Sequence, residues 1–266
     1  MGDSAIIRVD RRGDVARVFL NRPERRNAFH RPMVLELRRI FDDLSHDERV
    51  RCAVLGGVGD VFCSGADLEW MAADGSIAPQ QARDDAECLN AMYRAIDACP
   101  CPVIGRVEGP AYGGGVGLLV VCDVAVADQG ATFGLSEARL GLVPAVIAPF
   151  VVRKAGESFM RRYALTGETF SASTARHFNI IHDVVQREAL DKRMDELIDA
   201  VVRLSPEALR RTKALLRKIL QSPETEHGPL CVEANAEARL STQAREGLDA
   251  FLAKRTPEWA VRRVAG

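Results

Sequence analysis

Apolar positions recur along this chain in two different periods, and the period changes where turn residues fall. Val15-Ala16-Arg17-Val18-Phe19-Leu20 is a short apolar-rich run closed by Asn21-Arg22-Pro23, and it predicts a strand. Met33, Val34, Leu37, Ile40, Phe41 and Leu44 then recur at helical spacing behind Pro32, a residue suited to a first helical turn. Cys52 to Leu55 predicts a second strand, stopped by Gly56-Gly57. Ala82, Ala86, Leu89, Met92 or Tyr93, and Ile96 mark a long amphipathic helix closed by Pro100 and Pro102. Val103 to Val107 predicts a third strand and Val124 to Ala127 a fourth. Gly75-Ser76-Ile77-Ala78-Pro79 reads as a mobile surface loop. Strands alternating with helices imply an α/β architecture.

The pattern changes in the last third. From about Glu188 it is helical throughout, with Leu190, Met194, Leu197 and Val201 on one face and a fresh start at Ser205-Pro206-Glu207. The expected division is an α/β core over residues 1–204 and a helical carboxyl-terminal part over residues 205–266.

Composition narrows the classes. The 266 residues are 47% hydrophobic, enough for a full core without disulfide or metal staples. Thirty-six Lys and Arg against 37 Asp and Glu leave a formal charge of −1, which argues against a nucleic-acid partner. The longest apolar stretch, Val116 to Ala127, is interrupted by Asp123 and falls short of the ~20 residues needed to span a bilayer. Met1-Gly2-Asp3-Ser4 has no basic start, and Ile6 stands where a myristoylation signal wants Ser or Thr. A soluble cytoplasmic chain without a membrane partner is expected. Seven scattered cysteines contain no Cys-x-x-Cys pair and read as buried reduced thiols. Cys99-Pro100-Cys101 is poorly spaced for a disulfide or a zinc site, and the five histidines show no metal spacing. No metal site is expected.

Two glycine-bearing turns carry the candidate chemistry. One is Val61-Phe62-Cys63-Ser64-Gly65-Ala66-Asp67-Leu68 after the second strand. The other is Gly109-Pro110-Ala111-Tyr112-Gly113-Gly114-Gly115-Val116-Gly117-Leu118, after the third strand and opening an apolar helix. Adjacent glycines let another group approach the backbone, and free amides at a helix start suit a developing negative oxygen. Tight strand-to-helix turns with no further role are the alternative on the residues alone. Neither the dinucleotide-binding Gly-x-Gly-x-x-Gly spacing nor a Gly-Lys-Ser/Thr phosphate loop is present.

Taken in order, the motifs resemble the enoyl-CoA hydratase/isomerase (crotonase) superfamily. They are Leu20-Asn21-Arg22-Pro23-Glu24-Arg25-Arg26-Asn27-Ala28-Phe29, Phe62 to Leu68, Tyr112 to Leu118, Cys122-Asp123 and Phe133-Gly134-Leu135-Ser136-Glu137. Leu140-Gly141-Leu142-Val143-Pro144, Leu165-Thr166-Gly167 and Ala250 to Arg255 complete the set over nearly the whole chain. The resemblance implies a crotonase-like β-spiral core flanked by helices, with a helical carboxyl-terminal part that packs in a homotrimer or a dimer of trimers. It implies an acyl-CoA thioester as substrate and no separate cofactor, the CoA being part of the substrate. The amides of Ala66 and Gly114 match the oxyanion-hole positions, and Glu137 matches a catalytic glutamate. Arg25, Arg26, Ala28, Ser64, Asp67 and Leu68 match positions that hold CoA, with Gly113 and Gly117 in the glycine run. Phe251 and Lys254 match positions that touch the CoA of a neighbouring subunit. On the residues alone, Arg25 and Arg26 read as solvated charges and Phe251 as a core or interface residue.

The family's first glutamate is replaced by Gly117. The motifs around Ala66, Gly113 and Leu140, with Ala145-Val146-Ile147 where most members are glycine-rich, look like the bacterial branch that hydrates 3-methylglutaconyl-CoA or isohexenylglutaconyl-CoA, in leucine or isoprenoid breakdown. That branch is the expected one. A single-glutamate double-bond isomerase and a non-catalytic CoA- or partner-binding subunit are the alternatives. A glutaconyl substrate carries a second carboxylate, for which Arg139 and Arg153 are the cations near in sequence.

Overall fold

The structure, a computed structural model, describes residues 5–72 and 77–261. The chain begins with β1 (Ile7–Arg12), β2 (Val15–Leu20), α1 (Arg31–His46) and β3 (Cys52–Gly57). Next come α2 (Leu68–Ala72), α3 (Pro79–Ala98), β4 (Val103–Val107), β5 (Ala111–Tyr112), α4 (Gly114–Val120), β6 (Val124–Asp128) and β7 (Thr132–Gly134). After α5 (Ala148–Ala155) and α6 (Glu157–Thr166) come β8 (Thr169–Ser171), α7 (Ala172–His177) and β9 (Asp183–Val185). Four helices close the described chain: α8 (Leu190–Val202), α9 (Pro206–Gln221), α10 (Glu224–Leu240) and α11 (Thr242–Leu252).

The main sheet has the order β1-β2-β3-β4-β6-β9, antiparallel at β1–β2 and parallel elsewhere. A smaller sheet, β5-β7-β8, stands beside it. Parallel strands need both faces covered, and period-two alternation assigns the residues to each face. Ala16, Val18, Leu20, Ala53, Leu55 and Val103 join the large core under α1, α3 and α4. Val15, Cys52, Val54, Ile104 and Val126 point the other way, against Leu190, Met194 and Ile198 of α8. α1 buries the six apolar residues that its spacing predicts, each contributing roughly 1.5–3 kcal/mol.

The predicted strands and helices through α3 all form, with one boundary moved. β3 does not stop at Leu55 but runs through Gly56 and Gly57, which pair with Phe19 and Leu20. A Cβ at Gly57 would stand 2.4 Å from Phe62 O, so glycine permits close backbone approach there and does not break the strand. Of the expected loop at 75–79, Gly75 and Ser76 lie outside the described residues, and Pro79 opens α3. All seven cysteines are free; five are buried, Cys88 is half-buried, and Cys231 is exposed on α10, contrary to its expected burial. The Cys99 and Cys101 sulfurs lie 3.5 Å apart, unbonded.

The helical carboxyl-terminal region is capped and tethered through polar groups. Ser205 and Ser241 accept from Ala208 N and Ala244 N and start α9 and α11. Lys213 Nζ reaches Asp123 at 2.6 Å and Cys101 O at 3.2 Å, and Arg210 donates to Asp47 O and Val50 O. Neither α9 nor α10 buries a residue within the chain.

Candidate active site

The Asn21–Phe29 motif builds one wall of a cavity. Asn27 is fully buried with φ +55, a left-handed conformation that Asn tolerates. Its amide donates to Val58 O and Val61 O, and its oxygen accepts from Arg22 N, so one side chain fastens the motif to the turn after β3. Phe29 N then donates to Gly65 O, and Asp67 N donates to Phe29 O. These two bonds bracket Ala66 and hold its amide in place.

Gly65 (φ +94) lets the two turns meet. A Cβ there would lie 2.9 Å from Tyr112 O and 3.3 Å from Gly114 N, so any larger residue would push the loops apart. Gly113 (φ +49) donates to Gly134 O at 2.8 Å and opens α4. Among the described residues, neither the Ala66 nor the Gly114 amide donates to a protein acceptor. Both residues line a cavity of about 520 Å³ whose wall is mainly apolar, including Phe29, Trp70, Leu89 and Ile147.

Glu137 starts a short 3-10 turn after β7 and brings its carboxylate over the glycine turn. Oε1 lies 3.0 Å from where a Gly113 Cβ would be, and Oε2 is buried with no hydrogen-bond partner among the described residues. Burial pushes the Glu137 carboxyl above its ordinary value, only partly opposed by its own backbone amide. A buried carboxylate of raised proton affinity, facing an apolar cavity beside two free amides, is equipped to move a proton next to a stabilised oxyanion.

The structure brings together part of the set expected from the sequence. Ala66, Gly113, Gly114, Glu137, Ser64 and Leu68 all line the cavity. Arg25, Arg26, Ala28 and Asp67 do not line it. Arg25 pairs with Glu69 at 2.8 Å, and Ala28 O accepts from Arg22. Asp67 pairs with Arg22 at 3.1 Å and accepts from Glu69 N at the start of α2. Burial works to raise its carboxyl, but the Arg22 and Glu69 hydrogen bonds and the Arg22 and Arg25 charges outweigh it and hold the group below its usual value. Phe251 (81% exposed), in the last turn of α11, and Lys254, two residues past its end, do not line this chain's own cavity. Arg139 donates twice to Gly167 O and Arg153 pairs with Asp97, so neither enters the cavity wall.

Gly117 is not in the wall either. A Cβ on it would stand 2.4 Å from Ile147 Cγ2 and 3.0 Å from the Tyr93 ring, so these two side chains fill the place where a residue-117 side chain would emerge. Tyr93, on α3, is 1% exposed and donates its hydroxyl to Gly114 O at 2.9 Å. Sequence reasoning places Tyr93 only in a helical core stripe and leaves Arg22 in a turn. Asp85, paired with Arg31, is a further charged lining residue without a sequence signal.

Comparison with known proteins agrees with this geometry. The sequence pattern of the enoyl-CoA hydratase/isomerase family matches residues 10–262. Mycobacterium tuberculosis enoyl-CoA hydratase EchA19 is 32% identical, over 94% of this chain and 95% of its own. The 2,3-dehydroadipyl-CoA hydratase of Escherichia coli is also 32% identical, over 94% of this chain and 97% of its own. The crystal structure of an enoyl-CoA hydratase from Shewanella pealeana superposes with a TM-score of 0.91 at 35% identity, covering 96% of each chain. With its crotonase fold, its paired free amides and its buried glutamate, this chain belongs to the enoyl-CoA hydratase/isomerase family.

Proposed function

We propose that the protein is an enoyl-CoA hydratase that adds water to a branched 3-methylglutaconyl-type CoA thioester, methylglutaconyl-CoA or isohexenylglutaconyl-CoA. The observation that carries the reading is the convergence of the Ala66 and Gly114 amides and the Glu137 carboxyl on one largely apolar cavity. The thioester oxygen sits between the two amides, each worth roughly 3–4 kcal/mol as charge develops on it. Glu137 takes a proton from water as the oxygen attacks the β-carbon, then returns it to the α-carbon. Ser64 and Leu68 flank the CoA arm, with Arg25 and Arg26 exposed nearby for its phosphates.

The apolar wall formed by Val143, Val146 and Ile147 supports a branched acyl group. No Arg or Lys lines the cavity among the described residues, and a cation tied to its wall is Arg31, paired with the lining Asp85, which the distal carboxylate would have to displace. The Escherichia coli relative, named for 2,3-dehydroadipyl-CoA, acts on a dicarboxylic acyl group, which supports a similar tail here. Arg31→Met is expected to raise KM for the glutaconyl esters about tenfold and leave that for crotonyl-CoA unchanged, as steady-state kinetics would show. Equal effects on both would remove Arg31 from tail recognition.

A homotrimer, or a dimer of trimers, is the proposed assembly. Two helices without a buried residue and exposed Val232, Leu240, Phe251 and Leu252 form an apolar surface that a lone subunit leaves uncovered. Seven free thiols fit a reducing cytoplasmic setting. The double-bond isomerase remains the second reading because one carboxylate suffices for a 1,3-proton shift. Product analysis by mass separates the two, since only hydration adds a water.

A further inference from the structure

The hydratase reading leaves the attacking water with one carboxylate to hold it, because position 117 offers no side chain. What occupies that space, together with Ile147, is Tyr93. Its ring lies against Gly117, its hydroxyl stands 2.8 Å from where a Gly114 Cβ would be, and the residue lines the same cavity as Glu137. Glu137 stands over Gly113 and Tyr93 over Gly114, so the two polar groups sit above consecutive residues of one turn. The Tyr93 hydrogen is committed to Gly114 O, which leaves the phenolic lone pairs as acceptors. Glu137 Oε2 is a buried acceptor with no donor among the described residues.

Resting on the hydratase reading, we propose that the Tyr93 hydroxyl is the second anchor of the attacking water. The water donates one hydrogen to Glu137 Oε2 and the other to Tyr93 Oη, which aims its oxygen lone pair at the β-carbon. As the C–O bond forms, the O–H bond to Glu137 breaks and its proton passes to the carboxylate. The alkene electron pair moves onto the thioester as an enolate held by the Ala66 and Gly114 amides. Glu137 then returns the proton to the α-carbon, and the hydrogen on Tyr93 stays with the product hydroxyl. Tyr93 itself neither gains nor loses a proton. Burial, with the nearby Cys63 and Glu137, keeps its phenol far above the ordinary value, so it remains a neutral O–H.

The test separates holding water from shaping the oxyanion hole. Two rates are measured in Tyr93→Phe: hydration of an enoyl-CoA, and exchange of the α-hydrogen of the matching saturated acyl-CoA in heavy water. The exchange needs Glu137 and the two amides but no attacking water. Hydration kcat is expected to fall about tenfold or more with KM unchanged, the size of one lost hydrogen bond, while exchange holds. Difluorotyrosine at position 93 keeps the shape and weakens the acceptor, and it is expected to lower hydration to an intermediate degree. Hydration at the parent rate in both variants overturns the proposal, as does an equal fall in hydration and exchange. If the unaltered protein adds water to no enoyl-CoA, the hydratase reading itself fails, a different result from a hydrating parent matched by its variants.

Discussion

Glu137 is the residue on which the chemistry turns, and its burial makes a double prediction. Glu137→Gln is expected to lose at least ~10²-fold in turnover while CoA-ester binding is kept. The same change is expected to raise the melting temperature at pH 7. Its native carboxyl lies above the unfolded value of about 4.3, so the folded state binds the proton more tightly and stability falls as pH rises past that value. The advantage of Gln therefore closes as pH drops below about 4, where both states are protonated. Thermal melts across pH read it directly, and a variant less stable than the parent at pH 7 contradicts it. Asn27 carries a structural burden of comparable weight. Asn27→Ala strips Arg22 N, Val58 O and Val61 O of their partner and is expected to cost roughly 2–4 kcal/mol in denaturant unfolding. A loss within experimental error would show that water satisfies those groups.

The glycine turns, α3 and the 140–147 segment act together through Gly117. Gly117→Ala is expected to destabilise by about 1–3 kcal/mol, because its Cβ would overlap Ile147. Ile147→Ala in the same chain should recover part of that loss, and a double-mutant cycle showing simple additivity would mean that the two residues do not meet. This coupling also marks the limit of what sequence reveals. The resemblance to the family implies that Gly117 stands where its first glutamate would be, whereas the filling of that space by Tyr93 and Ile147 depends on packing between segments far apart in the chain. Tyr93 reads as one more apolar member of a helical stripe, since periodicity says nothing about where a hydroxyl ends. Strands β2, β3, β4 and β6 are legible because their apolar runs are long enough to show a period. β5, β7, β8 and β9 span only two or three residues, too few for any pattern. β1 escapes because it is an edge strand with only Ile7 buried, and its polar residues match no alternation. Arg22 reads as turn punctuation, but its ion pair with Asp67 joins residues 45 positions apart.

At the level of the molecule, one sheet with both faces covered fixes two loops against each other, and the helical region at the carboxyl end remains polar in its tethers. Glu246 accepts both Arg255 nitrogens and Glu258 N, which holds its carboxyl down to about 2. This depressed value means that the contact stabilises the fold above the unfolded value of about 4.3 and is lost as pH falls from there toward 2. The protection of the Glu258 amide, the slowing of its exchange relative to that of an unstructured amide at the same pH, is expected to fall as pH drops through that window and to stay flat in Arg255→Gln. A protection factor indifferent to pH in the parent would show that the pair does not hold the segment. The most direct test of the whole reading is loss of the conjugated enoyl-thioester absorbance with 3-methylglutaconyl-CoA and isohexenylglutaconyl-CoA side by side, with products identified by mass. A product heavier by one water from either ester is the predicted result. Unchanged substrate, or a product of unchanged mass with its double bond moved, would contradict it.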